Sequence, residues 1–248
     1  MGRKAGLILT LLIMVSLFFN IVSLVNITNI SFDKESIESS YNELLAEIKI
    51  VKERLDELSR ENEELRLNTY YLQDITDANN RLIKEQVRLM ELKNDWRFLR
   101  ENEVLPIYDG NVDTYDREIV FYISFPKTLT LDEKLKVICS KLSQYCFNGL
   151  PIEFEGIENI EGKRVATINL REAPLNEEII SLEEIIRPTW ATTYFQGSTG
   201  GLLTYINLVE TFLQRDYRGE WIDGVHFLYE GNEIDFEHVT GLKEIIYR

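Results

Sequence analysis

From Ala5 to Val25 the chain carries 21 consecutive residues without a charge, AGLILTLLIMVSLFFNIVSLV. As a helix at about 1.5 Å per residue this run reaches about 31 Å, close to the hydrocarbon thickness of a bilayer. A cleaved signal peptide has a shorter apolar core followed by small residues at its cleavage site. Here the run leads into Asn26-Ile27-Thr28 instead. The pattern predicts a retained transmembrane helix over 5–25, with a cleaved leader as the alternative. Arg3 and Lys4 precede it, while Asp33, Lys34, Glu35 and Glu38 follow it. The positive-inside bias then makes residues 1–4 a cytoplasmic stub and puts everything beyond residue 30 outside the membrane.

Residues 33–100 contain neither Pro nor Gly and hold an apolar ladder. Ile37, Tyr41, Leu44, Ile48, Val51, Leu55, Leu58, Asn62, Leu65, Thr69 and Leu72 step by alternating four and three. That mean period of 3.5 is the signature of a left-handed coiled coil. With Tyr41 at heptad position a, Leu44, Leu58, Leu65 and Leu72 fall at d, and Ile48 and Leu55 at a. Asn62 also falls at a, where a buried amide fixes a two-stranded parallel register. Glu47 at g faces Lys52 at e of a partner's next heptad, and Glu61 faces Arg66, pairs that attract only in a parallel arrangement. After Leu72 the ladder slips by one position to Ile75, Asn79, Leu82, Gln86, Leu89 and Trp96. A stalk over 31–104 is expected. A parallel homodimer leads, with a higher oligomer or heteromer, or packing of the helix on its own domain, as alternatives.

Leu105-Pro106 is expected to end the helix, because the residue before proline is driven out of the α region. Residues 105–116, with the turn signal Tyr108-Asp109-Gly110-Asn111, read as a linker. Beyond it the texture changes. Glu118–Phe125 is a strand by residue type, and Thr130-Leu-Asp-Glu133 is a capping box opening a helix with Leu131, Leu135, Ile138 and Leu142 on one stripe. Arg164–Leu170 alternates as a strand, a short helix is expected over 177–186, and Gly197–Gly201 precedes an amphipathic helix carrying Leu202, Tyr205, Ile206, Val209 and Phe212. Gly224–Glu230 alternates again, with Val225, Phe227 and Tyr229 on one face, and Gly231-Asn232 turns the chain. Strands and helices interleave without regular βαβ units, so residues 117–248 are expected to form an α+β domain.

Composition narrows the function classes. Acidic residues number 42 against 27 basic ones, giving a net charge of -15. No segment carries a basic surplus able to grip a phosphate backbone, so nucleic acid is excluded as a partner. Two cysteines cannot build a disulfide framework, and two histidines do not supply a dedicated zinc site. Cys139 and Cys146, seven apart on one expected helix, would lie about 10 Å apart, beyond disulfide reach. No cofactor is expected.

The domain resembles the GerMN domain of bacterial sporulation and spore-germination proteins. The matching pieces are EIVFYISF at 118–125, GKRVATINL at 162–170, GSTGGLLTYINLVETFL at 197–213 and GVHFLYEGNEI at 224–234. The resemblance spans about 130 residues, and its motifs are structural rather than catalytic. It implies an α+β fold and a role in spore formation, germination or related envelope assembly in a Gram-positive spore former. It also departs from the family, in which a lipid on an N-terminal cysteine attaches the protein, since the first cysteine here is Cys139.

Ser198 precedes an apolar helix, where a hydroxyl serves as an N-cap; a nucleophile or anion site is the other reading. Its surroundings match neither G-x-S-x-G nor a phosphate loop. Trp190, Tyr194 and Phe195, with Ser198 and Thr199, form a candidate contact surface for a glycan or a protein, or else pack into the core. Asp235, Glu237 and His238 are the nearest approach to a metal set, in an ordinary acidic composition. The expected protein is a single-pass, non-enzymatic envelope module, with peptidoglycan or envelope proteins as candidate partners. A division or cell-shape scaffold and a peptidoglycan hydrolase are the competing readings. Two outcomes follow. Ser198→Ala should cost about 1 kcal/mol as a lost cap. Sedimentation equilibrium of residues 31–104 should give a dimer at tens of micromolar, and a monomer would count against the parallel pair.

Overall fold

The structure, a computed structural model, describes residues 2–174 and 188–248; the helix expected over 177–186 lies outside the described residues. Helix α1 is Gly2–Leu92. Contacts divide the chain into one unit through Leu65 and a second from Arg66 to Arg248. The first unit is helical. It holds an apolar window of mean hydropathy 1.8, long enough to cross a membrane and with none of it buried. Leu44, Ile48, Val51, Leu55, Leu58 and Leu65 of the heptad ladder are all solvent-exposed in the single chain.

The second unit is an α+β domain that begins well before residue 117. The stalk helix expected to reach residue 104 stops at Leu92. Asp95 halts it by accepting hydrogen bonds on Oδ1 from Arg97 N (2.8 Å) and Phe98 N (3.4 Å), which caps a new short helix, α2 (Trp96–Glu101). The expected linker over 105–116 is largely strand. β1 (Asn102–Gly110) pairs antiparallel with β2 (Arg117–Pro126), with a bulge at Ile107/Tyr108. Pro106 is tolerated because β1 is an edge strand beside a helix, where a missing N–H costs no ladder bond. Only 111–116 turns, held by Asn111 Oδ1 accepting from Asp113 N and Thr114 N at 2.9 and 3.0 Å.

The capping box forms as expected. Thr130 Oγ1 accepts from Glu133 N, and Glu133 Oε2 accepts from Thr130 N at 2.8 Å, opening α3 (Leu131–Tyr145). Leu135, Ile138, Cys139 and Leu142 are its buried stripe. β3 (Ile152–Ile160) has no counterpart among the expected elements. A bulge at Phe154/Gly156 and acidic residues on its outer face break the alternation that would have marked it. β3 pairs antiparallel with β4 (Lys163–Leu170), and β4 pairs parallel with β5 (Gly224–Tyr229). A parallel pair needs a crossover, and the chain between these strands contains α4 (Ser198–Leu213), so the fold includes one βαβ connection. Short strands β6 (Asn232–Glu233) and β7 (Ile246–Tyr247) both pair with β5. Both sheets share one core with α3 and α4, filled by Trp190, Trp221, Phe147, Phe195, Phe212 and Phe227.

The stripe Ile75, Ala78, Leu82 and Leu89 of α1 faces this same domain: Ala78 is buried, Leu82 packs on the core, and Ile75 and Leu89 are half-buried. Glu85 between them accepts from Lys141 Nζ at 2.7 and 2.9 Å and from Tyr145 Oη at 3.3 Å. Gln86 grips the free edge of β2: its Nε2 donates to Tyr122 O (2.8 Å) and its Oε1 accepts from Tyr122 N (2.9 Å). A side-chain amide thus satisfies the backbone groups a neighbouring strand would take. The far edge of the hairpin is closed likewise from α4, where Thr211 Oγ1 accepts from Tyr108 N (3.0 Å) and Gln214 Nε2 donates to Pro106 O (2.8 Å).

Ser198 is not the cap of α4. That position belongs to Gly197, at φ 72° and ψ 142°, and no side chain caps the helix. The left-handed φ selects glycine there and moves the hydroxyl into the first turn. Three residues on, a Cβ at Gly201 would overlap the His238 carbonyl oxygen. Chemical denaturation should therefore show Ser198→Ala within about 0.5 kcal/mol of the parent, whereas Gly201→Ala should cost about 1–3 kcal/mol as overpacking against an immobile backbone.

Candidate functional site

The residues singled out as a contact surface are separated by the fold. Trp190 and Phe195 lie fully inside the core. Trp190 Nε1 donates to Arg171 O at 2.9 Å, and its ring packs against Phe147, Tyr194 and Phe195. Neither can present a surface. Ser198 and Thr199 are exposed, and Thr199 Oγ1 lies 3.4 Å from Tyr115 Oη. Tyr194 is half-buried between the two groups, and its hydroxyl accepts from Asn148 Nδ2 at 2.7 Å.

That hydrogen bond leads to a groove the candidate list did not contain. A hollow of about 490 Å³ is walled on one side by Tyr71, Asp74, Ala78 and Arg81 of α1, and on the other by Ser140, Ser143 and Gln144 of α3. Asn148 and Gly149 close its end. Helix α3 buries Leu135, Ile138 and Leu142, which turns Ser140, Ser143 and Gln144 outward toward α1. The Gln144 amide oxygen accepts from Arg81 Nε and Nη2, both at 3.3 Å, so the guanidinium is steered along the groove wall. Asn148 at φ 52° and Gly149 at φ 81° form the tight end of α3 that places the Asn148 amide under Tyr194. The sequence carried two traces of this groove: the Asn148-Gly149 turn dipeptide, and the change of ladder after Leu72 that brings α1 back onto the domain.

The groups behind the groove are held in their neutral forms. Burial pushes the Cys146 thiol up to about 12, against an opposing hydrogen bond from Asn207. Burial also raises the Tyr194 hydroxyl, with Tyr71 adding to it. Cys139, buried in the α3 stripe, is likewise pushed up to about 12. Both cysteines are free thiols. A thiol in this range is protonated at neutral pH and is no nucleophile. The wall offers a guanidinium, a carboxylate, hydroxyls and amides instead, which is hydrogen-bonding chemistry suited to a polar ligand.

Elsewhere, Asp235 pairs with Lys243 Nζ at 3.3 Å rather than joining Glu237 and His238. Among the described residues no group of three or more His, Cys, Asp and Glu side chains converges. Glu172 is a partly satisfied carboxylate of the domain. Its Oε1 accepts from Tyr229 Oη (3.0 Å) and Ala191 N (3.3 Å), while its Oε2 is buried without a hydrogen-bond partner. Burial raises its pKa from 4.5, and burial does the same for Asp109 in β1. Comparison with protein-family models, with curated proteins and with solved structures gives no match for this chain.

Linkage fixes the sign of a pH effect. Glu172 and Asp109 retain protons in the folded chain at a pH where the unfolded chain has released them. Their stability contribution is therefore complete below the ordinary carboxylate pKa and is lost as pH rises through the folded values. Glu172→Gln should flatten this loss, raising the melting temperature near neutral pH and leaving it almost unchanged at about pH 4. Thermal melts followed by circular dichroism across that range check it.

Proposed function

We propose that this chain is a single-span envelope protein whose α+β domain is a non-enzymatic binding or assembly module. The setting is the sporulation or germination role that the GerMN resemblance implies. Its N-terminal helix, long and apolar enough to cross a bilayer, is the anchor. Arg3 and Lys4 ahead of it and the acidic flank behind it favour a cytoplasmic N-terminus and an external domain. The exposed heptad ladder supports a parallel homodimer.

The observation that carries the binding role is the groove between α1 and α3. It is built from two helices of the domain core, and its walls combine Arg81 and Asp74 with Ser140, Ser143 and Gln144. Peptidoglycan strands and acidic or polar peptide segments present the carboxylates, hydroxyls and amides that such a wall can bind. Burial drives the Cys146 thiol and the Tyr194 hydroxyl beside it toward protonation.

The test uses the full chain in nanodiscs with purified peptidoglycan. Saturable co-sedimentation without release of soluble fragments is expected, and Arg81→Ala should weaken it about tenfold, or about 1.4 kcal/mol, with an unchanged melting temperature. Release of soluble sugars or peptides would replace the module with a hydrolase. Absence of saturable binding would remove peptidoglycan as the ligand.

A further inference from the structure

We infer that the face of α1 carrying Leu72, Ile83, Val87 and Met90 is an interface with a second copy of this chain, an inference that rests on the paired stalk proposed above. Counting heptads onward from Tyr41 without a break puts Leu72 at d, Thr76 at a, Asn79 at d, Ile83 at a, Gln86 at d and Met90 at a. The ladder therefore does not slip after Leu72; a second stripe joins it. That second stripe, Ile75, Ala78, Leu82, Glu85 and Leu89, occupies positions g and c and packs on the chain's own domain. It lies roughly a third of a turn around the helix from the a/d seam. The domain covers that stripe and also takes Gln86 at d, which hydrogen-bonds Tyr122, and it leaves Leu72, Ile83, Val87 and Met90 open, at 61%, 60%, 50% and 66% exposed.

Heptad phase and charge placement point to a second copy as the occupant. Between 67 and 92 the charged residues are Asp74, Asp77, Arg81, Lys84, Glu85, Arg88 and Glu91. Every one falls at b, c or f, and every e and g position is uncharged. The g residues Ile75, Leu82 and Leu89 face the chain's own domain, and the e residues Gln73, Asn80 and Val87 flank the open face without charge, so no like charges oppose one another where a parallel pair would meet. Ile83 then meets Ile83 and Met90 meets Met90, apolar against apolar. The seam is in phase with Leu44–Leu65, whose Glu47–Lys52 and Glu61–Arg66 flanks attract only in a parallel homopair. At its lower end Met90 opens into an apolar hollow of about 340 Å³ lined also by Leu99, Val104 and Tyr122, which gives the partner's side chains room to pack.

Disulfide trapping of the full chain in its membrane tests this. The native Cys139 and Cys146 are largely buried, so the parent chain is the background. Ile83→Cys and Met90→Cys on the seam are compared with Lys84→Cys and Glu91→Cys on the b face, and Leu58→Cys reports the stalk. A bridge needs Cα atoms within about 7 Å, so mild oxidation should give about tenfold more covalent dimer from the two seam variants than from the b-face pair. Cross-linking at Leu58 alone overturns the inference and leaves the paired stalk standing. Cross-linking at none of the three overturns both. Bridging at Ile83 and Met90 without Leu58 upholds this face and removes the stalk pair. Equal bridging at all five positions, or an adduct of a mass other than two chains, also overturns it.

Discussion

One helical stripe ties α1 to the domain. Ile75, Ala78, Leu82, Glu85 and Leu89 of α1 lie along α3 and the β1–β2 hairpin, and Gln86 completes the contact by hydrogen-bonding both backbone groups of Tyr122. A two-stranded hairpin is marginal by itself, since both of its strands are edges. Here one edge is closed by an amide from α1 and the other by Thr211 and Gln214 from α4. Glu85, held by Lys141 and Tyr145, fixes the helix along its length. Each element closes a defect in another, and the groove is the gap left where α1 and α3 part.

This docking explains why residues 66–101 belong with the domain. A helix whose only task was spacing would carry one apolar stripe. The segment after Leu72 carries the c/g stripe and a second apolar patch of Ile83, Val87 and Met90, with its charges at b and f apart from Glu85 at c. The first stripe is used by the chain's own core. The second is exposed at Ile83, Val87 and Met90 in the single chain, and the heptad count puts Ile83 and Met90 in phase with the ladder that precedes them.

The polar groups of the domain divide into two kinds. Burial favours the neutral forms of Glu172 and of the Cys146 thiol. Arg81, Asp74, Ser140 and Ser143 line open space at the surface. The polar lining of the groove therefore sits on the two helices, while the aromatic cluster around Trp190 and Phe195 supplies packing.

The sequence by itself determined the parts governed by local spacing and residue chemistry. These are the apolar run at 5–25, the 3.5-residue ladder, the Thr130–Glu133 box, the strands at 118–125, 164–170 and 224–230, and the glycine-led helix at 198–213. Periodicity and capping are read within a few residues of each other, so the chain order preserves them. Only the tertiary structure decided what depended on partners distant in sequence. Pro106 became a strand residue because α4 covers its edge. Trp190 and Phe195 became core because Phe147 and Arg171 meet them there. Ser198 lost its cap to the left-handed φ of Gly197. The groove appeared because helices some seventy residues apart in the chain were brought side by side, and no local pattern encodes that distance.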